Sequence, residues 1–152
     1  MQKKKYDINI DGIDIDAINA KLAANKQTAN IRVVKPDKIF AEHLPKLDNA
    51  FWRCRGYNKD KYTKHLAALP AVYDLILRGK INTVMLFCRN IENNDTKNAA
   101  RIYFQDTRIK VVEDDGKYQL VSDGVHRWVA ARLTDMPIPV QIINRKSENR
   151  KG

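Results

Sequence analysis

Cysteine is scarce in this chain of 152 residues, and long apolar runs are absent. The two cysteines, Cys54 and Cys88, lie far apart and form no C-x-x-C pair, which argues against a disulfide framework or a zinc knuckle and favours a reducing compartment. No run of about 18 apolar residues exists, and the lysines at positions 3–5 precede a polar alternation instead of an apolar segment. The sequence therefore predicts neither a membrane span nor a signal peptide.

What the chain has in excess is positive charge. Lys and Arg number 28 against 18 Asp and Glu, which gives a formal net charge of +10. Residues 51–80 carry seven cationic and two anionic side chains, and residues 124–152 carry six and two. Hydrophobic residues make up 43% of the chain, enough for one packed core. These features predict a folded basic domain whose partner is a polyanion or a phosphate-bearing ligand.

Hydrophobic periodicity predicts both helices and strands. Helical spacing covers residues 39–80 and, because prolines and a glycine interrupt it, predicts two or three short helices, the clearest of them at residues 59–68 and 71–78. Residues 90–98 are predicted as a surface loop or a helix start. The remaining apolar segments predict six strands and one more helix. The predicted strands are residues 31–34, 83–87, 101–104, 108–112, 117–121 and 138–143, with a hairpin turn at residues 114–116 and a helix at residues 124–134.

The first 30 residues differ in pattern and are expected to form an N-terminal extension. Isoleucine alternates with Asp or Asn over residues 7–16, which predicts a strand or a hairpin that turns at Asp11 and Gly12. Asp16 is expected to cap a short helix. The expected domain spans residues 31–143, followed by a polar tail at residues 144–152. The predicted fold class is α+β, a single domain with a small mixed sheet packed by helices.

The segment 118–133 carries most of the chemical information. A predicted strand enters a predicted helix through Ser-Asp-Gly, so the first helical turn presents backbone N–H groups and the positive end of the helix dipole. Gly124 allows an anion to approach closely, Arg127 offers several donors to phosphate oxygens, and His126 donates a hydrogen bond or moves a proton near neutral pH. Asp123 either caps the helix, holds a metal ion or orients His126.

These residues resemble the superfamily of ParB N-terminal domains and sulfiredoxins. In those proteins a strand leads into a Gly-x-[His/Arg]-Arg helix start, followed by small residues, a short turn with Ile-Pro-Val and a closing strand. Here residues 123–133 are DGVHRWVAARL and residues 138–143 are IPVQII, and the hairpin at residues 109–121 extends the pattern. The resemblance covers less than a third of the chain and fades upstream of about residue 100.

The resemblance implies a ParB/sulfiredoxin-like fold and phosphate chemistry. Members of the superfamily hold the triphosphate of ATP or CTP at the helix start, which matches Gly124, Val125, His126 and Arg127, and some are nucleases or nucleotide-dependent kinases. Sulfiredoxins carry a catalytic cysteine directly before the His-Arg pair. Because this chain has Val125 there, sulfinic-acid reduction is not expected. Partition proteins continue into a helix-turn-helix domain after this region, so a complete partition protein is not expected either.

Other basic and aromatic residues are candidates for nucleic-acid binding. Residues 51–57 are FWRCRGY, and rings between arginines stack on bases and bind phosphates, although they also pack into cores while the arginines face solvent. Lys110 lies on a predicted strand from which it could reach a bound phosphate. Trp128 is either a core residue or a ligand contact, and His65 is expected at the surface. The nucleic-acid candidates are Trp52, Arg53, Arg55, Tyr57, Lys59 and Lys61.

The expected function is therefore directed at phosphate. The leading hypothesis is an NTPase or nuclease in which Arg127 stabilises phosphate charge and His126 is an acid, a base or a water-positioning group. In that hypothesis Asp123, with Mg²⁺, completes the site. The alternative is a non-catalytic module that senses CTP or ATP and binds nucleic acid. A compact basic domain is also typical of the toxin domain of a secreted effector, which would act in the cytoplasm and have a cognate immunity protein as partner.

Overall fold

A five-stranded sheet forms the centre of the fold. A computed structural model of the chain describes residues 10–41, 59–79, 83–106, 108–121 and 124–143. The strand order is β1-β5-β3-β4-β2. Strand β5 runs antiparallel to β1 and parallel to β3, whereas β4 is antiparallel to β3 and parallel to β2. The strands are β1 (Ile31–Val34), β2 (Ile39–Phe40), β3 (Lys110–Asp114), β4 (Lys117–Leu120) and β5 (Ile138–Ile143).

The predictions of β1, β3, β4 and β5 are confirmed, and so is the turn between β3 and β4. Asp115 and Gly116 at this turn both have positive φ angles, 56° and 80°. Two consecutive positive φ angles define a type I′ turn, for which Asp-Gly is a favoured sequence. Because the turn is so short, β4 returns directly alongside β3, and its end leads towards the helix that begins after Gly124.

Five helices accompany the sheet in the described part of the chain. They are α1 (Ile15–Ala23), α2 (Lys59–Leu77), α3 (Val84–Arg89), α4 (Asn94–Ala100) and α5 (Val125–Thr134). A 3-10 turn spans Pro36–Lys38, and a π-helical turn at Arg101–Asp106 continues directly from α4. Helix α2 packs against α1, α4 and α5. None of the described helices is long and apolar enough to cross a membrane.

One hydrophobic core joins these elements into an α+β domain. Ile18 and Leu22 of α1 are fully buried and belong to the same core as the helices and the sheet. The N-terminal helix is therefore packed into the domain. The largest fully buried side chains are Trp128, Tyr103, Ile18, Leu22, Leu66, Leu69, Ile76, Ile109, Met136 and Ile138.

The N-terminal segment differs in detail from its predicted form. Asp11 and Gly12 form the predicted turn, but residues 10–16 contain no strand, and residues 1–9 lie outside the described residues. Asp14 caps α1 instead of Asp16, because its Oδ1 accepts a hydrogen bond from the N–H of Ala17 at 3.1 Å. Asp16 lies in the first turn, where a carboxylate interacts favourably with the helix dipole.

Helix α2 is continuous where the sequence predicts two helices. Pro70 lies inside α2 without ending it, although an interior proline costs roughly 3 kcal/mol by removing a hydrogen bond and crowding the preceding turn. Leu66, Leu69 and Val72 are fully buried around this position. Since burying one such side chain contributes roughly 1.5–3 kcal/mol, packing outweighs the local break.

Upstream of α2, residues 39–40 form β2 instead of the predicted helix, and residues 42–58 lie outside the described residues.

Two of the predicted strands are helical, so those predictions are wrong. Thr83 caps α3 instead of beginning a strand, because its Oγ1 accepts a hydrogen bond from the N–H of Leu86 at 3.1 Å. Residues 101–104 belong to the π-helical turn that follows α4, and α4 itself begins within the segment 90–98, after the capping residue Asn93. Short apolar runs show too few repeats to distinguish a helical period from a strand period.

Strand β1 lies at an edge of the sheet, and the side chain of Asn19 covers that edge. Asn19 Nδ2 donates to the carbonyl oxygen of Val33 at 3.0 Å, and Asn19 Oδ1 accepts from the N–H of Val33 at 2.7 Å. We expect Asn19→Ala to lower the free energy of unfolding by about 2 kcal/mol, because a partly buried backbone donor and acceptor both lose their partner. Urea unfolding followed by circular dichroism measures this change.

The matched control for this prediction is Asn19→Asp. An aspartate retains the acceptor for Val33 N–H but cannot donate to the Val33 carbonyl, so its loss of stability should be smaller than that of alanine. An alanine variant as stable as the wild type would show that water satisfies Val33 equally well.

Candidate functional site

The site predicted from sequence begins at Gly124, the residue that starts α5. Gly124 has φ 126° and ψ 4°, and its carbonyl accepts the first hydrogen bond of the helix, from Trp128 N–H at 2.8 Å. A Cβ atom at this position would lie 2.9 Å from Ile109 Cγ1 and 3.2 Å from Ile109 Cγ2. Both the backbone angle and the contact with Ile109 therefore require glycine. As a glycine, it also offers no side chain to cap the first turn.

The residues just before this helix start are not all described. Asp123, for which capping, metal binding and catalysis are predicted, lies outside the described residues, and so does the side chain of Val125. Within the described ranges, no three His, Cys, Asp or Glu side chains form a group that could hold a metal ion.

Arg127 is buried, and its guanidinium contacts the π-helical turn. The residue is 8% exposed, its Nη1 donates to the carbonyl oxygen of Ile102 at 3.4 Å, and its Cζ lies 5.7 Å from the centre of the Tyr103 ring. The hydroxyl of Tyr103 is buried and has no hydrogen-bond partner in the described part of the chain. Burial raises the pKa of Tyr103, although the charge of Arg127 opposes that shift. The guanidinium is thus fixed by a carbonyl and an aromatic ring.

His126 packs against helix α2, a neighbour that the sequence does not indicate. The rings of His126 and Tyr62 are stacked, with centres 6.1 Å apart and planes inclined by 22°. The residue is half-buried, and its Nε2 atom is buried. Tyr62 therefore restricts the orientation of the His126 imidazole. The two residues are 64 positions apart in the sequence, and no local pattern connects them.

His65 lies on the same helix, one turn after Tyr62, and is half-buried rather than at the surface as expected. Burial lowers its pKa, and the positive charges of Lys61, Lys64 and Arg127 lower it further, while Asp95 opposes them. Arg127 is the smallest of these influences, and burial of the imidazole is the largest. At neutral pH this environment favours the uncharged imidazole.

The remaining candidates are distributed over several elements. Lys110 is exposed at the start of β3, directly after Ile109, the residue that contacts Gly124. Lys61 is exposed on α2 next to Tyr62, and Lys59 begins α2 with its side chain outside the described residues. Trp52, Arg53, Arg55 and Tyr57 also lie outside the described residues. The structure thus brings Tyr62 to His126 and the π-helical turn to Arg127. The sequence predicts His126 and Arg127 as site residues but not these neighbours.

Trp128, which the sequence leaves open between core and ligand contact, is a core residue. It is 1% exposed, and its Nε1 donates to the carbonyl oxygen of Pro36 at 3.1 Å. Its ring also lies beneath the exposed Arg132, whose Cζ is 5.1 Å from the ring centre. The tryptophan therefore anchors α5 to the 3-10 turn before β2 and holds the helix start in place.

Comparisons with known proteins identify no relative. The chain matches no protein-family model, and no curated protein and no solved structure matches it significantly. The geometry at the start of α5 is therefore the structural basis for a proposed function.

Proposed function

We propose that this chain has a ParB/sulfiredoxin-like fold, that it binds a phosphate of a nucleotide or nucleic acid at residues 124–127, and that it hydrolyses a phosphoanhydride or phosphodiester bond there. The observation that carries the proposal is the helix start at Gly124, where the backbone angle and the proximity of Ile109 both require glycine. A glycine helix start followed at once by His126 and Arg127 combines backbone N–H groups, the helix dipole and two cationic or proton-donating side chains.

The order of elements in the C-terminal half supports the fold part of the proposal. The β3–β4 hairpin leads through the Gly124 start into α5, and β5 then returns parallel to β3 at its other edge. This is the sequence order of hairpin, helix start and closing strand on which the resemblance rests. The helix start consequently lies at the open end of this hairpin, where Gly124 adjoins Ile109, and a helix N-terminus in such a position favours an anion.

The surroundings of His126 and Arg127 support catalysis at this position. Tyr62 restricts the His126 ring, and Ile102 and Tyr103 restrict the guanidinium of Arg127. Groups that are held in place before the substrate binds stabilise developing charge more effectively than mobile ones. Arg127 and the backbone amides would stabilise negative charge on the phosphate, and His126 would transfer or accept a proton. Mg²⁺, if required, would use the carboxylate of Asp123.

The decisive experiment compares binding and turnover in the wild type and two variants. ATP and CTP are tested with and without Mg²⁺ by thermal shift and by phosphate release, and single-stranded DNA and RNA are tested for cleavage. We expect the ligand to raise the melting temperature of the wild type. His126→Phe, which preserves a ring for Tyr62 to contact, should retain binding and lose turnover by about 10²–10⁴-fold. Arg127→Lys should weaken binding by about 10–100-fold, because a charged donor pair to phosphate contributes roughly 1.5–3 kcal/mol.

The control variant is Arg132→Gln, which removes a positive charge from the exposed end of the same helix. It should bind and turn over as the wild type does. Circular dichroism establishes the folded fraction of each variant, because Arg127 is buried. Unchanged binding and unchanged turnover in both site variants would refute the proposal.

The non-catalytic alternative, a CTP- or ATP-sensing module that binds nucleic acid, is favoured by one observation. Arg127 connects the start of α5 to the π-helical turn through Ile102 and Tyr103, so a ligand that attracts the guanidinium would alter that turn. This alternative predicts that nucleotide binds and changes the affinity for nucleic acid by a measurable factor while no phosphate is released.

A further inference from the structure

A cleft of about 1070 Å³ lies at the turn end of the β3–β4 hairpin, whereas Gly124 adjoins Ile109 at the open end. The start of α1, the end of β1 with the 3-10 turn, and the first residues of β4 line this cleft. We propose that it binds a short peptide with free ends, whose carboxylate contacts Arg32 and whose ammonium group contacts Asp16. This binding site is separate from the proposed phosphate position and does not depend on it.

Arg32 is held in the cleft with one edge of its guanidinium unused. Its Nη1 donates to the hydroxyl of Tyr118 at 3.1 Å and lies 3.5 Å from Glu113 Oε2. Tyr118 is only 8% exposed, so its hydroxyl is a fixed support for the guanidinium. No described residue accepts a hydrogen bond from Nε or Nη2 of Arg32. Because two parallel N–H groups of an arginine match the two oxygens of a carboxylate, this edge is suited to binding one.

The lining of the cleft carries charges of both signs. Lys35 and Lys38 add two positive charges to that of Arg32, and Asp14 and Asp16 contribute two carboxylates from the start of α1. Asp14 caps the helix, whereas Asp16 forms no ion pair within the described residues. A polyanion would be repelled by both carboxylates, but a ligand with one anionic and one cationic end is attracted by both sets of charges. The charge pattern therefore favours a zwitterion.

The cleft also offers apolar surface and a spacing that suits a peptide. Four apolar side chains contribute to the lining: Ile13, Ile15, Val33 and Val34. Asp16 lies one helical turn before Asn19, which forms two hydrogen bonds with the backbone of Val33, the neighbour of Arg32 in the chain. Both charged groups are thus within reach of the ends of a short peptide, since an extended tripeptide spans about 10 Å. Apolar side chains of the peptide would contact the isoleucines.

The first test uses the tripeptide Leu-Val-Leu with free ends, with an acetylated N-terminus, with an amidated C-terminus, and with both ends blocked. Binding is measured by NMR titration of the backbone amides of residues 12–20 and 32–38. Amidation should weaken binding by about 10-fold, because it removes the charge-assisted bonds to a fixed guanidinium. Acetylation should weaken it by about 3–10-fold, because Asp16 is exposed and its attraction is screened.

Two outcomes of this titration would overturn the inference. One is equal binding of the free and the doubly blocked tripeptide, which would show that the charged ends are not recognised. The other is the absence of any perturbation of the cleft residues by the free tripeptide at millimolar concentration.

The second test assigns each end of the peptide to its residue. Arg32→Gln should bind the free and the amidated tripeptide equally and still distinguish the acetylated one, whereas Asp16→Asn should show the reverse pattern. The control is Arg132→Gln, which changes an exposed arginine outside the cleft and should preserve both differences. Melting temperatures establish that each variant is folded. If both differences persist unchanged in the two cleft variants, the peptide binds elsewhere and the inference is wrong.

A cleft that recognises polyanions would give a different result. Inorganic tripolyphosphate would then perturb the cleft residues at lower concentration than the tripeptide does. Asp16→Asn would strengthen that binding, because the variant removes a repelling carboxylate. This result would refute the peptide ligand. Binding of the tripeptide that exceeds that of tripolyphosphate in the cleft, and that both cleft variants weaken, would support it.

Discussion

Replacing Gly124 by alanine is expected to lower the free energy of unfolding by about 3 kcal/mol and to abolish ligand binding. At φ 126° an alanine is strained by roughly 1–3 kcal/mol. Its Cβ would also lie 2.9 Å and 3.2 Å from the two γ carbons of Ile109, a fully buried residue that cannot move freely. Overpacking of this kind costs roughly 1–3 kcal/mol. Relieving the clash would displace the first turn of α5, and with it the proposed phosphate position.

The matched control is Gly116→Ala in the β3–β4 turn. Gly116 also has a positive φ, 80°, but nothing lies within 4 Å of the position that a Cβ would occupy. Gly116→Ala should lower the free energy of unfolding by about 1 kcal/mol, because conformational strain is the only cost. Chemical denaturation measures both variants, and tripolyphosphate titration measures their binding. Equal losses in the two variants would show that the contact with Ile109 is unimportant, and full binding by Gly124→Ala would contradict the proposed site.

Trp128→Ala is expected to have the largest effect on stability, a loss of about 3–5 kcal/mol in the free energy of unfolding. The side chain is 1% exposed, so its removal leaves a large cavity between α5 and the core. The carbonyl oxygen of Pro36 also loses the hydrogen bond that it accepts from Trp128 Nε1 at 3.1 Å, and a buried unpaired carbonyl is unfavourable. Urea unfolding followed by circular dichroism measures the loss.

Two further variants separate the contributions of this residue. Trp128→Phe retains part of the buried ring and loses the hydrogen bond, so its loss should be smaller than that of alanine. Arg132→Gln removes the exposed guanidinium that lies 5.1 Å from the ring centre and should change stability by no more than about 1 kcal/mol. If Trp128 were a ligand contact instead of a core residue, Trp128→Ala would weaken binding without lowering stability.

The C-terminal half of the fold could be predicted because its signals are local. Asp115-Gly116 specifies its own turn, the apolar residues of the strands on either side are buried, and Gly124 marks the helix start that follows. Each of these features depends on residues within a few positions of one another. For the same reason Gly124, His126 and Arg127 could be selected as candidate site residues before any tertiary contact was known.

The wrong predictions of secondary structure occur where local sequence signals are weak or are opposed by packing. Residues 83–87 and 101–104 are too short to show a period, so the cap at Thr83 and the continuation of α4 into the π-helical turn decided their conformation. Pro70 is a strong local signal for a helix end, yet α2 continues through it because buried side chains on both sides stabilise the helix.

The sequence by itself determined the α+β class, the β3–β4 hairpin and the chemistry available at the start of α5. Only the tertiary structure decided what surrounds that helix start. Tyr62 reaches it from α2, and Ile102 and Tyr103 hold Arg127 from the π-helical turn. These neighbours are tens of residues away in the chain, and their proximity follows from how helices and sheet bury a common core, which no local sequence pattern specifies.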